Sequence, residues 1–182
     1  MQDSAKPVFD LHRLLLEREA AMATSLRTRG LALAASAVGG LLAGGNVDRL
    51  VVGFPAWRRV GTRAWADYSR HADLSANGMA LYPFLAIGGA TVSIAALASF
   101  RRDRRAPARA GLPLSAAAFL TIGGLLVTTQ AAPNMLRLRR LGNDRAALQR
   151  AFEGFYRWSA VRAVFQVLAF GANLWSLAAL RK

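Results

Sequence analysis

The sequence predicts an all-α fold: a four-transmembrane-helix bundle with amphipathic interfacial helices in the two loops opposite the termini. Three observations predict it. Apolar residues make up 54% of the chain, and they gather into blocks. Each block reaches roughly the ~20 residues that a helix needs to cross a bilayer core. Arginine-rich segments separate the blocks, as loops separate spans.

Span one covers 31–54. Its apolar block reaches Gly45, meets Asn46, Asp48 and Arg49, and resumes at Leu50-Val51-Val52. Span two covers 78–100, with Pro83 near its start. Span three covers 112–132. Pro113 falls in its first turn, where proline is tolerated, and Pro133 lies past its end, where proline stops a helix. Span four covers 158–180. Together they form one integral membrane domain over 1–182, with no strict internal repeat.

The connection from Arg101 to Arg109 is short and dense in arginine, which marks a cytoplasmic loop. With four spans, both termini share that side, and Arg27, Arg29, Arg181 and Lys182 agree. The expected location is the cell membrane, multi-pass, with both termini cytoplasmic. The opposing loops are basic too, and amphipathic. In the first, Trp57, Val60, Ala64, Tyr68 and His71 share one helical face, and Arg59, Arg63, Asp67 and Arg70 another. That is the pattern of a helix at the interface or over the bundle mouth. In the second, Asn143-Asp144 can cap a helix whose apolar stripe is Leu148, Ala151, Phe152 and Phe155. No proline separates that helix from span four.

The net charge of +14 suggests a nucleic-acid partner, but that would require a basic face on a soluble fold. The long uncharged blocks leave too little polar surface, so no nucleic acid is expected. Anionic membrane lipids are the better match. Cysteine is absent, which excludes disulfides, thiolate metal sites and cysteine nucleophiles. With only His12 and His71, a zinc site built from several histidines is impossible, and neither metal nor cofactor is expected. The segment from Met1 to Arg29 contains Asp3, Asp10, Glu17 and Glu19 and no long apolar run, unlike a secretory signal. Span one would act as its own uncleaved signal.

Small residues recur at helical spacing within the spans: Ala32, Ser36, Gly39, Ala43 and Asn46 on the first, and Gly88, Thr91 and Ala95 on the second. On the third they are Ala117, Thr121, Gly124, Thr128 and Ala131. Close helix packing in lipid explains them without a ligand. Span four carries Arg162, Gln166 and Asn173 within about 40° of one another on a 3.6-residue helix, with Trp158 on the same face. An arginine at mid-bilayer costs on the order of 3 kcal/mol, so this stripe should face the interior, meeting Asp48, Asp73 or Asn77. It is either a buried ion pair that fixes register or a polar pocket for a ligand; snorkelling of Arg162 to an interface would weaken both readings. His71, close in sequence to Asp73, is the one histidine suited to carry a proton near the membrane; an ordinary interfacial hydrogen-bonding histidine is the plainer explanation. Trp57, Trp65, Tyr68, Tyr82, Tyr156 and Trp158 suit an aromatic belt. No GxSxG, Walker loop, HExxH or dinucleotide fingerprint is present.

The glycine-rich first span, the aromatic loop from Trp57 to His71, Tyr82-Pro83 opening span two, Ala132-Pro133-Asn134 closing span three, and Trp158-Ser159-Ala160-Val161-Arg162 together form a pattern. The pattern resembles the anthrone oxygenase-like family of small membrane proteins, over roughly Leu31 to Leu180. The resemblance implies a four-helix membrane fold. It implies less about activity, since fold does not fix function. Some relatives oxidise anthrones with molecular oxygen and no evident cofactor.

Two functions follow. The first is a cofactor-independent oxygenase of a lipophilic, anthrone-like substrate. His71 would be the base, and Arg162 would stabilise the oxyanion with Gln166 and Asn173. Asp48, Asn77 and Trp158 would complete the substrate site. The second is a non-enzymatic protein that binds a lipid or quinone, or serves as an accessory subunit of a membrane complex. Membrane lipids are the expected partners of either, beside a lipophilic small molecule, a second copy of the chain or a membrane-complex subunit. A transporter would use a pair of broken helices, for which there is no signal.

Overall fold

The computed structural model describes residues 6–103 and 106–181, with backbone alone at 6–18, 20, 21 and 24. Asp3, Arg104, Arg105 and Lys182 lie outside the described residues, as do the side chains of Asp10, His12 and Glu17. The elements are α1 (Lys6–Asp48), a π turn (Arg49–Gly53), α2 (Phe54–Val60), α3 (Thr62–His71) and α4 (Ala76–Arg102). A 3-10 turn (Ala108–Ala110), α5 (Gly111–Leu136), a second 3-10 turn (Arg137–Arg139) and α6 (Arg145–Ala179) follow. Among the described residues there is no strand. Four helical stretches are long and apolar enough to cross a bilayer: Ser25–Val60, Ala76–Arg102, Ala108–Arg139 and Arg145–Ala179. The chain is an all-α multi-pass membrane protein built on a four-helix bundle.

α1 packs against α4 and α6, and α5 against the same two, so the spans stand in a ring in the order α1, α4, α5, α6. The bundle is small inside and bulky outside. Ala32, Ala35, Ala96, Ala117 and Ala131 are buried, whereas Leu33, Leu41, Phe84, Phe119, Leu126 and Val164 are 59–72% exposed. Water would penalise that arrangement. Lipid favours it, because spans associate through close backbone packing and large side chains are content among acyl chains. The tightest approach within the bundle is at Gly123, where an added Cβ would stand 2.5 Å from the Phe165 ring.

The seams of spans one and three lie where the spacing predicts. Ala32, Ser36 and Ala43 are buried, as are Ala117, Gly124 and Ala131. The seam of span two is displaced by one residue. Thr91 is exposed, and Gly89, Ala90, Ser93, Ala96 and Ser99 face inward instead. Span two has small residues on both faces, and in lipid the outer face is apolar too, so periodicity offers no contrast between them. Span three also departs from expectation at its end: α5 continues through Pro133 to Leu136. Asn134 Nδ2 donates to the Gln130 carbonyl at 2.9 Å, and Ala131 and Met135 are packed in a buried cluster. Tertiary contacts thus hold the turn that proline weakens.

The two loops opposite the termini form one cap. Phe54 and Trp57 of α2, Ala66 of α3 and Leu148, Phe152 and Phe155 of α6 share an apolar core. Asp144 Oδ1 caps α6, accepting from the Ala146 amide at 2.9 Å and from the Ala147 amide at 3.2 Å. Such a cap satisfies donors that the first turn leaves free. From there α6 runs unbroken into span four. The face predicted for the first loop is only partly right. Trp57 is buried, but Val60, Ala64, Tyr68 and His71 are exposed, while Ala66 and Ser69 are buried. Gly61, at φ +90°, breaks the helix between α2 and α3, so one periodic face cannot run through both.

Candidate functional site

Arginine marks both ends of the bundle. At the end holding the chain termini, Arg29 Nη2 donates to the Leu180 carbonyl at 2.6 Å and Arg109 Nε to the Ala179 carbonyl at 3.1 Å. Both satisfy carbonyls that the last turn of α6 leaves without intrahelical partners. At the other end, Arg70 Nε donates to the Leu138 carbonyl at 3.1 Å and Arg139 Nη2 to the Leu74 carbonyl at 3.0 Å, and Arg49 and Arg162 stand beside them. Along α6, the rise from Arg162 to Ala179 is about 25 Å, close to the ~30 Å of a bilayer's hydrocarbon core. Arg162 therefore stands about one bilayer core's thickness of helix from the terminal end, below the cap.

Arg49 is placed by the π turn, whose wide ring is closed by the Phe54 amide on the Arg49 carbonyl. Arg49 grips Asp73 with both terminal amines, at 2.6 and 2.5 Å. Asp73 is 7% exposed and sits just before α4, beside Tyr82. This bidentate pair ties α1 to the start of α4.

Arg162 has a different setting. Its Nε donates to Asn46 Oδ1 at 3.1 Å. Asn46 Nδ2 in turn donates to Gln166 Oε1 at 2.5 Å and to the Leu42 carbonyl at 2.8 Å. Two guanidinium groups share one ring, that of Phe155. The Arg49 guanidinium carbon lies 5.3 Å from its centroid. That of Arg162 lies 5.9 Å from the same point. The two cations repel each other across it. Among the described residues, Arg162 forms no ion pair, and its terminal amines make no hydrogen bond. Nearby donors are also unsatisfied: Arg49 Nε and the Trp65 indole nitrogen are buried without partners, as are the hydroxyls of Ser69 and Ser159.

Below this corner, a cavity of about 20 Å³ lies between all four spans, lined by Gly39, Gly89, Ser93, Thr121, Gln166 and Asn173. That is room for a single water molecule. Asn173 is 2% exposed, and its Nδ2 lies 3.5 Å from the Ala35 carbonyl.

Of the residues proposed from sequence, the fold joins Arg162 and Gln166 through Asn46 and places Gln166 and Asn173 in the cavity wall. Trp158 is half-buried against the cap core. Asp48, His71 and Asn77 are exposed. His71 ends α3, with Nδ1 2.8 Å from the Asp67 carbonyl of its own helix. Asp73, not Asp48, is the carboxylate of the cluster, and its partner is Arg49, not Arg162. Arg49 is the site residue that the sequence reading missed. Its signal was available: a lone cation late in span one and a lone carboxylate just before span two can meet where adjacent antiparallel helices turn. Among the described residues, no group of three His, Asp or Glu side chains could hold a metal ion.

The fold and this corner define a class: a small multi-pass membrane protein with a charged, hydrogen-bonded cluster where the spans meet the cap. Compared with protein-family models, curated proteins and solved structures, the chain matches none.

Proposed function

We propose that this protein binds a lipophilic molecule at the corner formed by α1, α6 and the start of α4, and that it does so without transforming it. The observation that carries this reading is the ordered row Arg162–Asn46–Gln166, held by mutual hydrogen bonds yet leaving the terminal amines of Arg162 unsatisfied. Such preorganisation lowers the ordering cost of binding. Arg162 ties α6 to α1 only through the Asn46 amide, which leaves its two terminal amines for a ligand.

The oxygenase reading, suggested by the resemblance to the anthrone oxygenase-like family, draws on the same donors, which suit a developing oxyanion. It also needs a base and room for a tricyclic substrate. His71 is exposed and engaged with its own helix, and the interhelical cavity is the size of one water. The binding reading needs neither. Oxygen uptake by purified protein with a simple anthrone separates the two: uptake above a no-protein control, lost in His71→Phe, would replace the binding reading with the oxygenase one. Lipid extracted with the protein in native nanodiscs and depleted by Arg162→Gln would support binding.

The short arginine-dense connection between α4 and α5 supports cytoplasmic termini in a cell membrane. The exposed Val60 and Tyr68 suit a cap whose outer face meets the lipid headgroups. Because the chain has no cysteine, single cysteines at residues 106 and 142 would report sidedness to an impermeant maleimide.

A further inference from the structure

We propose that the corner between Arg49 and Arg162 is a site for the anionic headgroup of an amphiphile, a carboxylate or a phosphate. This rests on the binding reading and names the chemistry of its ligand.

Charge balance is the first argument. The corner holds two guanidinium groups around the Phe155 ring and one carboxylate, Asp73, which is already taken bidentately by Arg49. One positive charge is left over, beside a like charge and at the edge of an apolar medium. That is an unfavourable arrangement unless an anion joins it. Hydrogen bonding is the second. The nitrogens left over are all donors: both terminal amines of Arg162 and, buried, Arg49 Nε and the Trp65 indole N–H, while the buried hydroxyls of Ser69 and Ser159 can donate as well. Trp65 and Arg49 are neighbours, both within 4 Å of where a Cβ on Gly53 would stand. A neutral quinone carbonyl or an alcohol could accept from one or two of them. An anionic oxygen headgroup also supplies the missing charge, and the guanidinium fork matches carboxylate and phosphate geometry.

Depth is the third. Arg162 stands on the cap side of the bundle, about 25 Å of helix from Ala179, a separation that suits an amphiphile headgroup near one face of a bilayer with its tail among acyl chains. The helices that carry the site offer an outward apolar surface for that tail, including Val47 on α1 and Val161 and Leu168 on α6. The arginines at the terminal end lack this character, because Arg29 and Arg109 are bonded to carbonyls of α6.

The test is native mass spectrometry of the full chain released from detergent, titrated with four probes: palmitate, phosphatidic acid, hexadecanol and diacylglycerol. The two anions are expected to bind at least about tenfold more tightly than their neutral counterparts. Arg162→Gln should remove that preference, Arg162→Lys should restore part of it, and Arg109→Gln should leave it intact. Palmitate alone would assign a fatty-acid carboxylate, and phosphatidic acid alone a lipid phosphate. Equal binding of hexadecanol and palmitate by the unmodified protein would overturn the anion inference while leaving the binding reading in place. No saturable binding of any amphiphile would overturn both. An unchanged anion preference in a folded Arg162→Gln protein would place the anion elsewhere and overturn the assignment to this corner. If that variant does not fold, quenching of tryptophan fluorescence in the unmodified protein by brominated phosphatidic acid, against brominated phosphatidylcholine, decides. Equal quenching by the two would sink the proposal.

Discussion

The two ends of this bundle both use arginine to bond backbone carbonyls, and the cap end adds a second use. At the terminal end, Arg29 and Arg109 reach across to α6 and bond the carbonyls of Leu180 and Ala179. Their charge meets the negative end of a helix dipole, and their donors are satisfied by the protein. At the cap end, Arg70 and Arg139 likewise bond the carbonyls of Leu138 and Leu74, but Arg49 meets a carboxylate and Arg162 meets only an amide and a ring. One end is closed by its arginines. The other keeps a cation in reserve. A binding site needs that second condition, since a group already satisfied by the protein has little to offer a ligand.

The comparison breaks most readily at Asp73. Removing its charge in Asp73→Asn leaves Arg49 and Arg162 facing one another without a counter-ion. Breaking one partner of a buried pair costs on the order of 3–5 kcal/mol. Unfolding of the detergent-solubilised protein in dodecyl sulfate should show that loss, and an anionic amphiphile should recover part of it. A double variant, Arg49→Met with Asp73→Leu, should cost less than Asp73→Asn alone, because Arg49 no longer stands unpaired beside Arg162. If Asp73→Asn is as stable as the unmodified protein, the pair holds nothing together.

At the terminal end, Arg109→Gln should cost about 1 kcal/mol, because the arginine is exposed while it bonds carbonyls at a helix C-terminus. Anionic amphiphile should not change that loss. A dependence on added anion would erase the difference between the two ends. Asp144→Ala, which removes the cap of α6 outside the bilayer slab, should cost about 1 kcal/mol, again whatever lipid is present. A much larger loss there would show that the cap core, not the spans, sets the stability.

Much of this contrast was legible in the sequence, and the rest was hidden for physical reasons. Spans one to four, the Asp144 cap and the Leu148–Phe155 stripe follow from block length and helical spacing, which are local properties. The polar stripe of Arg162, Gln166 and Asn173 was readable because a polar line in an apolar span is conspicuous. Its partner was not. Asp48 and Arg49 are adjacent, and a one-residue difference in register, which block spacing does not fix, separates the one that meets Asp73 from the one that does not. The outward turn of His71 was hidden by Gly61, whose positive φ resets the face of α3. The inner face of span two was hidden because lipid and protein interior are equally apolar, so no pattern separates them.

The smallest expected effect is also the most telling. In neutral detergent, without anionic amphiphile, Arg162→Gln should change stability by no more than about 0.5 kcal/mol, or raise it slightly. The substitution gives up a hydrogen bond to Asn46 and a ring contact, each a modest net contribution. It also removes the repulsion with Arg49. Those changes oppose one another. A residue kept for a ligand should be near neutral in the empty protein and matter only when the ligand is present. The measurement is the same dodecyl sulfate unfolding curve, run with and without palmitate. A loss of about 2 kcal/mol or more in the empty protein, the size of a charged hydrogen bond, would make Arg162 a structural lock of the same kind as Arg109. The two ends would then be alike, and the corner would have no charge to spare.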